Sequence, residues 1–82
     1  MRSTDVKKYI NSLGYEPRHD VKAMAKAFRT LSKRLRVSSE DLMRFILSNE
    51  PMEGVYTHSY GFHTGAGREI INQFEAEYYE NI

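Results

Sequence analysis

The sequence predicts an all-α chain of about four helices in one small bundle, and three observations carry that expectation. Apolar residues recur at helical spacing in four separate runs. Capping residues, glycines and prolines fall between those runs rather than inside them. The whole chain is 82 residues, enough for only one core, so residues 1–82 form a single domain.

The first helix is expected from Asp5 to Leu13. Thr4 or Asp5 can cap it, Val6, Tyr9, Ile10 and Leu13 share one face, and Gly14 ends it. The second begins at Asp20 or a turn earlier at Pro17. Val21, Met24, Phe28, Leu31 and Leu35 draw an apolar stripe along it. Lys22, Lys26, Arg29, Lys33 and Arg36 draw a cationic stripe near the opposite side, at about 100° per residue. The segment Arg36-Val37-Ser38 breaks this pattern.

Ser38 or Ser39 then caps a third helix whose first turn holds Glu40 and Asp41, where the helix dipole favours acids. Leu42, Met43, Phe45, Ile46 and Leu47 make it apolar almost all round, so it is expected to be the buried, central helix. Pro51 stops it. Residues 52–67 are irregular. Tyr56, His58, Tyr60 and Phe62 alternate with smaller side chains, which suggests a short β-hairpin before the last helix. That helix is expected from Arg68 to Glu80, packed through Ile70, Ile71, Phe74 and Tyr78, with Glu69, Glu75, Glu77 and Glu80 exposed.

Composition narrows the function classes. With 40% hydrophobic residues the chain has a core to build, although a thin one. The absence of cysteine excludes disulfides, thiolate zinc sites and a cysteine nucleophile, and fits a reducing compartment. Neither a secretory signal nor a membrane-spanning stretch is expected, which makes the cytoplasm the default location. Catalysis has little to stand on: no Ser-His-Asp arrangement appears, and the largest group of carboxylates, four of eleven, lies along the exposed face of the last helix. The chain reads as a non-enzyme without a cofactor.

Charge is the most informative feature. Net charge is only +1, yet residues 1–47 hold eleven Lys and Arg against five Asp and Glu. Residues 48–82 hold one Arg against six Glu. Such asymmetry points either to a surface that faces a polyanion or to a basic helix and an acidic helix paired within the fold. Between Val21 and Arg36 no acid interrupts the cations, so they can serve as phosphate contacts or simply as a solvated face.

Phe28 to Leu47, FRTLSKRLRVSSEDLMRFIL, resembles the helix-turn-helix unit of DNA-binding regulators. Leu31, Leu35, Val37, Leu42 and Phe45 stand where that motif has packing residues, and Ser32 where a small side chain lets the helices cross. The resemblance implies a helix-turn-helix-like central pair, with Ser38 to Leu47 as the recognition helix. It implies that Arg29, Lys33, Arg34 and Arg36 reach phosphates and that the stretch from Ser38 and Ser39 to Arg44 reads bases. Arg36 occupies the turn position commonly held by glycine. The helix following it offers few polar groups to a major groove.

The nucleic-acid-binding set is therefore Lys22, Lys26, Arg29, Lys33, Arg34, Arg36, Ser38, Ser39 and Arg44, with DNA favoured over RNA. The rival reading is a small protein-binding inhibitor or adaptor of the kind found in phages and mobile elements. It works through Tyr56, Tyr60, Phe62, Glu75, Glu77 and Glu80, the aromatics otherwise covering the core. A homodimer fits either. His58 and His63 with Glu53 match no tight zinc spacing, so no metal site is expected. Gly61 to Gly67 before Arg68 lacks the lysine of a phosphate-binding loop and reads as a turn.

Overall fold

The computed structural model describes residues 1–48, 52–53, 59–60 and 65–82. Its helices are α1 (Ser3–Ser12), α2 (Val21–Leu35), α3 (Ser39–Ser48) and α4 (Gly65–Glu80). Together they form an all-α bundle. Between α3 and α4, Met52–Glu53 and Ser59–Tyr60 pair antiparallel, with Met52 opposite Tyr60 and Glu53 opposite Ser59. Two residues a side fall short of an ordinary strand, so the pairing does not alter the fold class. Most of the alternating stretch that suggests a hairpin lies outside the described residues.

Helix ends follow local chemistry, with one correction to the expected caps. α1 starts at Ser3, ahead of Asp5. Neither Thr4 nor Asp5 is its cap: Arg2 holds the cap position, and the Asp5 carboxylate reaches back to accept its backbone N–H at 2.9 Å. At the other end Gly14 adopts φ 85°. Its N–H reaches the Asn11 carbonyl, and the Tyr15 N–H reaches that of Ile10. This double closure needs a residue at positive φ, which glycine supplies freely. Asp20 caps α2, its carboxylate accepting from the N–H groups of Lys22 and Ala23 at 3.0 and 3.2 Å. Ser38 caps α3, its Oγ accepting from the Asp41 N–H at 3.0 Å.

The central helix is α2, not the third helix as its composition suggests. α1, α3 and α4 all pack on it. Alanines make this possible: Ala23, Ala25 and Ala27 are buried beside Met24, Phe28, Leu31 and Ser32, and their small side chains admit neighbours on several sides. α3 buries Leu42, Met43 and Phe45 but leaves Ile46 and Leu47 half-buried. α1 runs antiparallel to α2, the Arg29 guanidinium donating to the Met1 carbonyl at 2.6 Å. It contributes Val6 to the core and joins α3 through the Tyr9 and Ser48 hydroxyls.

α4 crosses α2 at its middle, where Phe74 stacks on Phe28 with centroids 4.6 Å apart. From there Tyr78 accepts the Asp20 N–H at one end of α2, while Glu77 meets Arg34 near the other. These contacts run from the cap residue of α2 to its last turn, so α4 engages α2 along most of its length. Among the described residues no helix is long and apolar enough to cross a membrane.

Candidate nucleic-acid interface

The cationic stripe of α2 survives folding as a surface. Lys22, Lys26, Arg29 and Lys33 are all exposed. At about 100° per residue they fall within an arc of about 60° and span about 16 Å of helix. No ion pair engages any of them among the described residues. One Arg29 guanidinium nitrogen donates to the Met1 carbonyl, which fixes its direction.

Why the row stays free follows from where the acids are. Of the five carboxylates in residues 1–47, Asp5 and Asp20 serve helix starts, and Glu40 and Asp41 face Arg44. Glu16 lies in the connection after α1. None sits on α2. The topology adds cations that periodicity alone did not join to this site. Arg2 is exposed next to Met1, whose carbonyl meets Arg29, and Lys7 is exposed in a hollow shared with Val21 at the start of α2. Their charge is plain in the sequence, but only the antiparallel packing of α1 brings them near α2.

Arg34 belongs elsewhere. Its guanidinium meets the Glu77 carboxylate at 2.7 Å and Gln73 Oε1 at 3.3 Å, on the side of α2 that carries α4. The pairing of a basic with an acidic helix within the fold is thus real, but it is limited to this contact among the described residues. Arg36 stands in the turn between α2 and α3 at φ 58° and ψ 41°, the left-handed region, with its side chain exposed.

Ser38 and Ser39, expected to face bases, are occupied within the protein. Ser38 caps α3. Ser39 is half-buried with its hydroxyl 2.9 Å from that of Ser32. Since Ser32 donates to the Arg29 carbonyl at 3.0 Å, Ser39 is the donor between the two hydroxyls. Arg44 is exposed but held by Glu40 at 2.8 Å, one turn away, with Asp41 at 4.0 Å. The outward face of α3 therefore carries two acids around one base, a poor match to phosphates.

Of the residues assigned to a protein partner, Tyr56 and Phe62 lie outside the described residues, as does the side chain of Tyr60. Glu75 and Glu80 are exposed on α4, whereas Glu77 is half-buried against Arg34. Of the turn expected at Gly61 to Gly67, residues 65–67 belong instead to α4, which begins at Gly65 and buries Gly67, and residues 61–64 lie outside the described residues. His58 and His63 also fall outside the description. Among the described residues no group of three His, Asp or Glu side chains is placed to hold a metal. No protein-family model matches the chain, and neither a curated protein nor a solved structure does.

Proposed function

We propose that the chain is a non-enzymatic, cytoplasmic nucleic-acid-binding regulator whose affinity comes from the exposed α2 row of Lys22, Lys26, Arg29 and Lys33. The row carries the proposal because it is dense, one-signed and unopposed by a carboxylate on its own helix. An extended polyanion is the ligand such a row serves, since each phosphate it neutralises releases condensed counterions. Duplex DNA is favoured over RNA by the join between α2 and α3. Three residues make it: Arg36 in the left-handed conformation, Val37 packed on the core, and Ser38 capping the next helix. This join resembles that of a helix-turn-helix unit, a fold element that docks on duplexes, and supports the reading.

The contribution of α3 to that docking is limited. With Ser38 and Ser39 engaged internally and Arg44 between two carboxylates, α3 supplies little base readout. Binding is accordingly dominated by phosphate contacts, with a modest sequence preference. The test is fluorescence anisotropy of a labelled mixed-sequence duplex at low salt, with the native chain and with Lys26→Glu, Arg29→Glu and Lys33→Glu combined. The native chain binds and the triple variant does not. If the variant, folded as judged by circular dichroism, bound the duplex as well as the native chain, the row would not be the interface.

A further inference from the structure

The four cations of the α2 row differ in what holds them. The side chains of Lys22, Lys26 and Lys33 are exposed and make no hydrogen bond among the described residues. Arg29 is also exposed, but its Nη1 donates to the Met1 carbonyl at 2.6 Å, across the junction of α1 and α2. That acceptor is itself fixed. The Met1 side chain is half-buried against the core, and the next residue is bonded at both of its backbone polar atoms. The Arg2 N–H donates to the Asp5 carboxylate at 2.9 Å. The Arg2 carbonyl accepts the N–H groups of Asp5 and Val6 at 3.0 and 3.3 Å. The carbonyl before it is therefore held in place, and it holds the guanidinium.

We propose that Met1 is a positioning residue for Arg29, and that Arg29 so held is the directional phosphate clamp of the row, the three lysines acting as point charges. The proposal rests on the row's being the duplex-binding surface. A guanidinium carries five N–H donors in one rigid plane. With Nη1 on the carbonyl, the edge formed by Nε and Nη2 stays whole, and its two parallel donors match two oxygens of one phosphate. Ordering a long side chain before the ligand arrives also lowers the entropic cost of the contact. A lysine here would carry its donors on a rotating head at the end of a flexible stem, with no fixed direction to offer a phosphate. Arg29 stands within the row, one turn from Lys26 and one from Lys33. Asp5, the carboxylate at this junction, is engaged by the Arg2 N–H and forms no ion pair with Arg29 among the described residues. A fixed clamp sets where the phosphate backbone lies, and the lysines adjust to it.

The test is the duplex titration at several salt concentrations, with far-UV circular dichroism confirming the fold of each variant. Arg29→Lys keeps the charge, so its salt slope should match that of the native chain while affinity falls about fivefold or more. Lys26→Arg, the converse exchange one turn away, should lose nothing. Met1→Gly, released from a cleavable fusion, loosens the carbonyl and should weaken binding about threefold at the same slope. Added to Arg29→Lys it should cost nothing further, because Met1 acts through Arg29, whereas a merely structural role would add its loss in full. Native affinity in Arg29→Lys, or full additivity of the two substitutions, overturns the assignment. Failure of the row itself looks different. A native chain that does not bind the duplex removes row and clamp together. Loss of binding in the triple glutamate variant, beside an unaffected Arg29→Lys, removes the clamp alone.

Discussion

Arg36 shows how one residue can serve the fold at a cost. Its φ of 58° lies where the Cβ of any L-residue crowds the backbone, a penalty on the order of 1 kcal/mol that glycine avoids. The conformation is needed because the N–H groups of Arg36 and Val37 both close on the Ser32 carbonyl, ending α2 and aiming the chain into α3. Arg36→Gly should therefore stabilise the protein by roughly 0.5–1 kcal/mol, once the larger freedom of unfolded glycine is subtracted. For a domain of this size the melting midpoint should rise by about 2–8 °C, read by thermal denaturation. A fall in the midpoint would mean that contacts of the Arg36 side chain outweigh the backbone strain. Ser32 and Ser39 act at the same scale, since their paired hydroxyls let α2 and α3 approach without leaving a buried polar group unbonded.

The helices themselves were largely legible, and their failures have identifiable causes. Asp20, Gly14 and Ser38 mark helix ends because their side chains, or the lack of one, bond or bend the backbone locally. That information is carried within four residues and needs no tertiary context. Burial order did not read as well. Leucine, isoleucine and phenylalanine drew attention to α3, whereas α2 is central on account of alanines whose role depends on which neighbours approach them. Gly65 and Gly67 look like turn residues and point to a start of α4 at Arg68, although tertiary packing carries them into the helix.

What holds α4 on α2 can be decided by comparing its two contacts. Phe74 is almost fully buried and stacked on Phe28. Phe74→Ala should cost about 3–4 kcal/mol by removing that area and leaving a cavity. In a domain that has about 5 kcal/mol to lose, the urea midpoint should fall by more than half. Glu77→Gln breaks an ion pair whose arginine is half-exposed, and should cost less than about 1 kcal/mol. Urea denaturation of both variants separates the two contributions. Comparable losses would show that the ion pair holds the helix as strongly as the aromatic stack does.

At the scale of the molecule, folding leaves charge separated. α1 and α2 carry the unpaired cations, while α4 holds Glu69, Glu75 and Glu80 exposed, and the Arg34–Glu77 contact neutralises only one charge from each side. The sequence exposed this polarity through simple counting, but it could not say which cations would be taken up internally. Arg34 and Arg44 were lost to carboxylates, and Arg29 was steered by the chain's own first carbonyl. The four-residue α2 row then makes a numerical demand on duplex binding. If each of its cations neutralises one phosphate, the logarithm of the association constant should fall with the logarithm of salt concentration at a slope between roughly −3 and −4 per protomer. Lys33→Ala should reduce that slope by about 0.9 and lower affinity about equally for unrelated duplex sequences. Titrations of two such duplexes at three salt concentrations measure both quantities. A slope near zero would identify the row as a solvated helix face. A Lys33→Ala effect confined to one sequence would place this lysine against base edges instead of phosphates.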